Sequence, residues 1–416
     1  MAVQIIFFRY NNHANCTDPD SGGFPGSIIA AKIQVEVRSQ SRNPSFPSQQ
    51  PKNRQTQILD FQDRPGIKRK WASHMEHEQK IEILSTITLT EDQLKRIHSI
   101  DGRIKVDINK YKELNKISDD TWHKTEIFLT QGPNLPAVER VPNLRWIQSS
   151  WAGVEKLLDD PLLHKEGLQV TSSSGANVSQ MGEYVIMTLL MLGHKMPMMT
   201  QAQREKRWVE DKFNILQPKE LRGSTVGIIG YGSIGREVAR QLYACGATVL
   251  ATKRDVFHPE DSGYIPEGLG DPHGNYFHRL YPMEGLRGML EECDFVVLTL
   301  PHTKSTECLF VKEMFENMKP GSYFVNVSRG QLVDEGALID ALNSGQLAGA
   351  ALDVFSQEPL EPESPLWSQP NLIITPHISA YSPNMLNQVI DLFIENLKRY
   401  LNRQPLYNLV NLDLGY

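Results

Sequence analysis

The sequence predicts an α/β protein with two parallel sheets, and three observations lead to that prediction. A glycine-rich turn, Gly230–Gly235, stands between an apolar strand and a helix. Short apolar segments alternate with amphipathic ones between Lys80 and Gln148. Further apolar strands follow between Phe295 and Thr375, and each ends in polar residues. This alternation is typical of parallel sheets covered by helices.

Residues 1–77 differ from the rest of the chain, because Asn, Ser, Pro and Gln are abundant in them. We expect a disordered N-terminal extension. Met1–Tyr10 lacks the basic region and small-residue cleavage site of a secretory signal, so we expect a cytoplasmic protein. A mitochondrial presequence is the alternative, although Asp18, Asp20 and Glu36 fall where such peptides avoid acidic residues.

The individual elements follow from apolar periodicity and from capping residues. A helix is predicted to begin at Thr90, a long one to cover Gln180–Arg207, and a final one to cover Met385–Tyr400. The segment Val256–Pro282 contains Gly, Pro, Asp and His in quantity and is predicted to be a long loop. The predicted strands are 81–84, 104–106, 126–129, 144–148, 226–229, 247–251, 295–300, 323–327, 349–352 and 372–375.

The glycine-rich turn has the spacing that binds a dinucleotide. Gly230 permits a tight turn, Gly232 lets the backbone approach the pyrophosphate, and Gly235 lets the helix pack closely on the strand. The backbone amides of Ser233 and Ile234 then face the anion at the helix N-terminus. A purely structural turn is the alternative, which the strand–turn–helix–strand context disfavours.

The residues after the next strand predict which dinucleotide is bound. Sites that select NAD usually place Asp or Glu there to hold the ribose 2′-hydroxyl, whereas this chain has Thr252-Lys253-Arg254. Lys253 and Arg254 can pair with a 2′-phosphate, so the sequence favours NADP(H). NAD(H) is the alternative, in which both cations are solvated and Asp255 takes the acidic role.

Three ionisable residues follow strands whose carboxyl ends should meet at one crevice. They are Arg329, Glu358 and His377. Reduction of a 2-keto acid needs a cation for the carboxylate and ketone, an acid for the nascent alkoxide, and a carboxylate that keeps this acid charged. These three residues can supply one function each. The alternatives are a structural ion pair for Arg329, a surface carboxylate for Glu358 and a structural role for His377.

Five motifs occur together in this chain: 230–235, Leu300-Pro-His-Thr303, Asn326-Val-Ser-Arg-Gly330, Leu352-Asp-Val-Phe-Ser-Gln-Glu-Pro359 and Pro376-His377. With them the chain resembles the D-isomer-specific 2-hydroxyacid dehydrogenase family, which includes glyoxylate/hydroxypyruvate reductases and phosphoglycerate dehydrogenases. The resemblance covers about residues 78–416. It implies two Rossmann-like domains with an active-site cleft between them. A flavodoxin-like substrate-binding domain would comprise 78–180 and 381–416, and an NAD(P)-binding domain 181–380.

The resemblance also implies roles for individual residues. Arg329 would bind the substrate carboxylate and carbonyl, His377 would donate the proton, and Glu358 would be the partner of His377. Asp353 would hold the nicotinamide carboxamide, with capping of a loop as its alternative role. The implied binding residues also include Pro301 and Thr306 for the cofactor, and Ala152 and Gly153 in the loop Ser149-Ser-Trp-Ala-Gly-Val154 for the substrate carboxylate.

Together these features predict an NADP(H)-preferring reductase of small 2-keto acids such as glyoxylate or hydroxypyruvate. The alternatives are an NAD-dependent D-2-hydroxyacid dehydrogenase similar to phosphoglycerate dehydrogenase, and a nucleotide-sensing transcriptional corepressor of the same family. A net charge of -6 without a long basic run gives no support for a nucleic-acid partner.

The longest apolar run, Tyr184–Leu192, is too short to span a bilayer, so no membrane partner is expected. Scattered Cys and His residues predict no metal site. The family usually forms homodimers, for which Tyr184–Met199 offers an apolar surface.

Overall fold

The structure is a computed structural model that describes residues 80–109 and 114–416. The prediction of a disordered extension over 1–77 lies outside these residues. In the part described there are twelve strands and ten α-helices. The strands are β1 (Ile81–Ser85), β2 (Ile104–Ile108), β3 (Ile127–Thr130), β4 (Trp146–Ser149), β5 (Gln169–Thr171), β6 (Thr225–Ile229), β7 (Thr248–Thr252), β8 (Arg279–Tyr281), β9 (Phe295–Leu298), β10 (Ser322–Asn326), β11 (Leu347–Leu352) and β12 (Leu372–Ile374).

The helices vary from one turn to almost five. They are α1 (Glu91–His98), α2 (Asp119–Lys124), α3 (Val178–Gly193), α4 (Met196–Arg204), α5 (Lys212–Ile215), α6 (Ser233–Cys245), α7 (Leu286–Leu290), α8 (Lys312–Glu316), α9 (Glu335–Asn343) and α10 (Met385–Leu401). The start of α1 follows from its sequence, because Thr90 and Gln93 form the predicted cap reciprocally.

The first sheet has the strand order β2-β1-β3-β4-β5 and is parallel throughout. Its inner strands β3 and β4 are buried on both faces, as expected when helices cover both sides. One covering helix comes from the far end of the sequence. Phe393 of α10 stacks on Trp146 of β4 with ring centroids 5.2 Å apart, and Ile390 and Leu397 join the same core.

The second sheet has the order β12-β11-β10-β9-β6-β7-β8 and is also parallel. The order reverses at β6, so the loop after β6 opens into a crevice between the loops that follow β9 and β7. Helix α3 covers this sheet, where Val185 and Leu189 pack with the cores of β6 and α6. The fold class is therefore confirmed, and the glycine turn lies at the topological switch point.

Two predicted elements were wrong in detail. The single helix predicted over Gln180–Arg207 is two helices, because Lys195 adopts a left-handed φ of 58° and Pro197 follows in the first turn of α4. The predicted loop Val256–Pro282 ends in an edge strand, β8, too short to show an apolar period. Residues 253–278, called the β7–β8 loop below, connect the two strands.

Candidate active site

The glycine turn after β6 is shaped to receive a phosphate. Gly230 has a φ of 105°, which favours glycine, and its amide donates to Thr252 Oγ1 at 3.0 Å. A methyl group on Gly235 would overlap the Gly230 carbonyl, whereas one on Gly232 would meet nothing within 4 Å. No side chain caps α6 at Gly232. The amides of the first turn of α6, which include those of Ser233 and Ile234, therefore lie beside open space.

The two cations after β7 have partners within the protein. Lys253 Nζ donates to the carbonyls of His258 and Glu260, and burial lowers the pKa of this ammonium. The Arg254 guanidinium lies over the ring of Tyr416, 5.1 Å from its centroid. Asp255 accepts from Phe257 N at 3.0 Å and lies 2.7 Å from His258 Nδ1, so it stabilises the turn that follows. Of the two cations, Arg254 is exposed and Lys253 is half-buried.

The β7–β8 loop is anchored to helix α6 through charged groups that sequence analysis did not identify. Arg236 is 1% exposed and donates to the carbonyls of Asp271 at 2.5 Å and Pro259 at 2.6 Å. The Tyr231 hydroxyl donates to Asp271 Oδ2 at 2.6 Å, and burial raises the pKa of Tyr231. Glu237, also buried, accepts from Gly270 N at 2.7 Å. The sequence feature that could have indicated these contacts is the charged pair Arg236-Glu237 in α6, the helix that follows the glycine turn.

The same loop reaches the first sheet. Tyr264 N donates to Asn408 Oδ1 at 3.2 Å, and Asn408 Nδ2 donates to the carbonyl of Ser174 at 2.6 Å. A methyl group on Gly175 would overlap the Tyr264 carbonyl and would lie 3.4 Å from Ser233 Oγ. The loop therefore crosses beside the phosphate turn and contacts residues that follow β5.

His377 follows β12, and a buried carboxylate that follows β11 holds the backbone around it. Asp353, fully buried, accepts from Thr375 Oγ1 at 2.6 Å, Ile378 N at 2.9 Å and Ser379 N at 2.8 Å. The His377 amide donates to the Asp353 carbonyl at 2.8 Å. These hydrogen bonds are the ones expected if Asp353 caps the loop, which is its alternative role. The carboxamide role of Asp353 stays a prediction.

Glu358 and His377 form the pair that the sequence predicts. Glu358 Oε2 lies 2.8 Å from His377 Nδ1, and Glu358 Oε1 accepts from Phe355 N at 3.0 Å. The carboxylate is therefore fixed by the backbone on one side and faces the imidazole on the other. With Nδ1 engaged, Nε2 is the nitrogen that can exchange a proton with a ligand.

Arg329 lies where the two sheets meet. Gly330 packs so tightly on the Phe355 backbone that no side chain would fit, which holds the Arg329 loop against the Glu358 loop. Arg329 Nη1 donates to the Ser328 carbonyl at 2.7 Å, and Nε is 3.0 Å from Glu155 Oε1. Sequence analysis missed Glu155, although it stands two residues after the predicted carboxylate-binding glycine.

The predicted carboxylate-binding turn directly faces Arg329. A methyl group on Gly153 would overlap both Arg329 Nη2 and Glu155 Oε2. Ala152, beside it, is exposed. The turn belongs to the first sheet and Arg329 to the second, so residues of both sheets form one cleft. Arg329, Glu358 and His377 are thus joined through touching loops.

Pro301 and Thr306 lie in the turn after β9. Thr306 Oγ1 donates to the Pro301 carbonyl at 2.7 Å and accepts from Thr303 N at 2.9 Å. Leu300 contacts the glycine turn, since a methyl group on Gly230 would lie 3.0 Å from Leu300 Cδ2. Thr306 therefore fixes the turn after β9, and direct contact of Pro301 and Thr306 with the cofactor stays a prediction.

These residues fit a dinucleotide. The uncapped start of α6 and the open space over Gly232 would hold the pyrophosphate. Over residues 80–109 and 114–416, no cluster of three or more His, Cys, Asp or Glu has the arrangement of a metal site. Within the same residues, none of the helices combines the length and apolar character needed to cross a membrane.

Comparisons with known proteins agree with this geometry. The sequence model of the "D-isomer specific 2-hydroxyacid dehydrogenase, NAD binding domain" matches residues 186–379. A D-3-phosphoglycerate dehydrogenase of Archaeoglobus fulgidus is 32% identical over 275 residues, 66% of this chain, but the chain spans only 49% of that protein. A glyoxylate reductase of Korarchaeum cryptofilum is 30% identical over 291 residues, 69% of this chain and 82% of the relative.

Solved structures give the same result. A D-isomer-specific 2-hydroxyacid dehydrogenase from Xanthobacter autotrophicus Py2, in complex with NADPH and MES, matches with a TM-score of 0.67 and 28% identity, covering 81% of this chain and all of that one. The NADPH-dependent glyoxylate/hydroxypyruvate reductase of Sinorhizobium meliloti, in complex with NADP and sulfate, matches with a TM-score of 0.64 and 26% identity over the same shares. With its fingerprint, its paired imidazole and its cleft arginine, the chain belongs to the D-isomer-specific 2-hydroxyacid dehydrogenase family of NAD(P)-dependent oxidoreductases.

Proposed function

We propose that this protein is an NADP(H)-preferring reductase that converts small 2-keto acids of the glyoxylate and hydroxypyruvate type into D-2-hydroxy acids. The observation that supports this most directly is the arrangement at the cleft. His377 on the loop after β12 pairs with Glu358 on the loop after β11, and Arg329 on the loop after β10 lies against the Ala152–Gly153 turn. Reduction of a planar 2-keto carboxylate needs a cation beside the carboxylate and an acid beside the ketone oxygen, and this arrangement provides both.

Each residue then has a role in the reaction. When bound, the cofactor supplies a hydride to the ketone carbon. Arg329 neutralises the substrate carboxylate and polarises the ketone. His377 donates the proton from Nε2 to the carbonyl oxygen, and Glu358, held by Phe355 N, stabilises the charged imidazole before the transfer.

The preference for NADP(H) is supported by the residues after β7. Thr252 and Lys253 replace the acidic residue that would repel a 2′-phosphate, and Arg254 is exposed at the same edge. Lys253 contributes less than its charge implies, because its ammonium is already bound by two carbonyls of the β7–β8 loop. NADPH and NADP in the two similar structures accord with this preference.

The test is steady-state oxidation of NADPH and NADH with glyoxylate, hydroxypyruvate, pyruvate and 2-ketoisocaproate. We expect turnover with NADPH in the wild type, and a loss of about 10²- to 10⁴-fold in kcat for His377→Ala, because general acid catalysis contributes that much. The matched control is His98→Ala, which alters an exposed histidine at the end of α1.

Each other outcome points to a different function. Equal or better use of NADH would contradict the cofactor preference and favour an NAD-dependent dehydrogenase. Absence of turnover with every keto acid would favour a nucleotide-binding corepressor. A kcat in His377→Ala equal to that of the wild type would remove the proton-donor role.

We also propose a cytoplasmic homodimer that acts on a small-molecule substrate. Within the predicted dimer segment, Met187, Leu190, Met196 and Met198 are each at least 37% exposed, whereas Tyr184 packs inward. Exposed apolar side chains of this kind are what a subunit interface covers. Sedimentation equilibrium would test the dimer, and a monomer at micromolar concentration would reject it.

A further inference from the structure

The carboxylate of Glu155 lies in the place that the proposed function reserves for the carboxylate of the substrate. Its Oε1 is 3.0 Å from Arg329 Nε, and its Oε2 lies so close to Gly153 that a methyl group there would overlap it. The proposed substrate carboxylate would bind the same guanidinium and the same turn. One protein carboxylate therefore already occupies part of this subsite.

The contact is strong enough to matter for binding. The side chains are 32% exposed for Arg329 and 25% for Glu155, so water screens the pair only in part. The attraction between opposite charges is stronger at such a partly buried position than in bulk water. Among the described residues, the ion pair with Arg329 is the only polar side-chain contact of Glu155, so nothing else holds its carboxylate in place.

We propose that Glu155 is a gate at the substrate subsite, whose carboxylate neutralises Arg329 in the free enzyme and is displaced by the carboxylate of the substrate. The proposal rests on the proposed function, because it takes Arg329 and Gly153 as the subsite. Glu155 keeps a cleft cation paired until an anionic ligand arrives. A neutral carbonyl compound cannot replace the lost ion pair, so the gate also favours substrates that carry a carboxylate.

A competitor built into the protein has a specific kinetic signature. Displacing it costs binding free energy but does not change the reaction once the substrate is bound. Weakening Glu155 should therefore lower KM for the keto acid and leave kcat unchanged. A residue that merely positions Arg329 would behave in the opposite way, since its loss would raise KM and lower kcat.

The experiment compares Glu155→Gln and Glu155→Ala with the wild type. We measure kcat and KM for glyoxylate with NADPH, and the Kd of oxalate for the enzyme saturated with NADP. Removing the negative charge that pairs with Arg329 should lower both KM and the oxalate Kd about fivefold in Glu155→Gln. Glu155→Ala should shift both in the same direction. The matched control is Glu166→Gln, an exposed glutamate of the same sheet's connections, which should change neither value.

Higher or unchanged KM and Kd in both variants would overturn the proposal, as would a fall in kcat in both. Circular dichroism identifies a variant that fails to fold, in which case the other variant decides. The oxalate arm measures binding alone, so it still tests the gate if no keto acid is turned over. Failure of the gate and failure of the proposed reductase activity are thus distinguishable.

Discussion

Two segments at the carboxyl edge of the second sheet are built around one buried acid each. Asp353 accepts hydrogen bonds from Thr375, Ile378 and Ser379, and Asp271 accepts from Tyr231 Oη at 2.6 Å, Asn275 N at 2.7 Å and Tyr276 N at 2.9 Å.

The two segments differ in what the acid supports. Asp353 orients the backbone on either side of His377, so its contacts aim a proposed catalytic group. Asp271 supports the β7–β8 loop, which then contacts Asn408 and Gly175 beyond its own sheet. A buried, hydrogen-bonded carboxylate therefore supports a proposed catalytic residue in one segment and anchors a loop in the other.

The largest effect that would sharpen this comparison is expected for Asp353→Asn. The Asn side chain keeps one accepting oxygen but turns its NH2 group toward at least one of the three donors, so we expect the free energy of unfolding to fall by about 2 to 4 kcal/mol. We also expect kcat with NADPH and glyoxylate to fall at least about 100-fold, because His377 loses its support. Thermal melts and initial rates measure both. Asp159→Asn, at an exposed position, is the control, and near-normal kcat in Asp353→Asn would contradict the assignment.

Asp271→Asn should have a smaller effect on chemistry and a clear effect on the cofactor. The Tyr231 hydroxyl, whose pKa burial raises, stays protonated and donates to Asp271 at any working pH. Loss of the carboxylate should lower stability by about 2 kcal/mol and loosen the β7–β8 loop.

For the same variant, we expect a higher KM for NADPH, faster proteolysis within residues 253–278 and little change in kcat. If kcat fell as far as in Asp353→Asn, the two segments would share one role. Asp340→Asn, on helix α9, serves as a folding control, because it removes the same negative charge outside the β7–β8 loop.

The smallest effects concern the two cations at the start of the β7–β8 loop. Arg254→Ala should lower the ratio of kcat/KM for NADPH to that for NADH by about 10- to 100-fold, the worth of a charge-assisted phosphate contact. Lys253→Ala should lower the ratio by no more than about threefold, since its ammonium binds loop carbonyls rather than solvent. An equal decrease of this ratio in the two variants would show that both cations face the 2′-phosphate.

Local chemistry made much of this architecture predictable from sequence. The glycine turn, the capping box at Thr90, and the Glu358–His377 pair each depend on residues a few positions apart or on a recognisable motif. A motif identifies residues that interact locally. The pairing of Glu358 with His377 on another loop came from the family resemblance.

Contacts between distant segments were not predictable in the same way. The ion pair of Glu155 with Arg329 joins residues from two sheets, and no local pattern reports it. Similarly, the burial of Arg236 depends on a loop that folds back after β7. The break at Lys195 was missed because apolar periodicity continues across a left-handed residue.

Asn408 has a consequence for how the protein unfolds. Its side chain accepts from Tyr264 of the β7–β8 loop and donates to the carbonyls of Ser172 and Ser174, while its own carbonyl accepts from Ser172 N. Thermal separation of the two sheets must therefore break the hydrogen bonds of the Asn408 side-chain amide, whose partners lie beside both sheets. The described α/β region should melt as one cooperative calorimetric transition rather than as two independent steps.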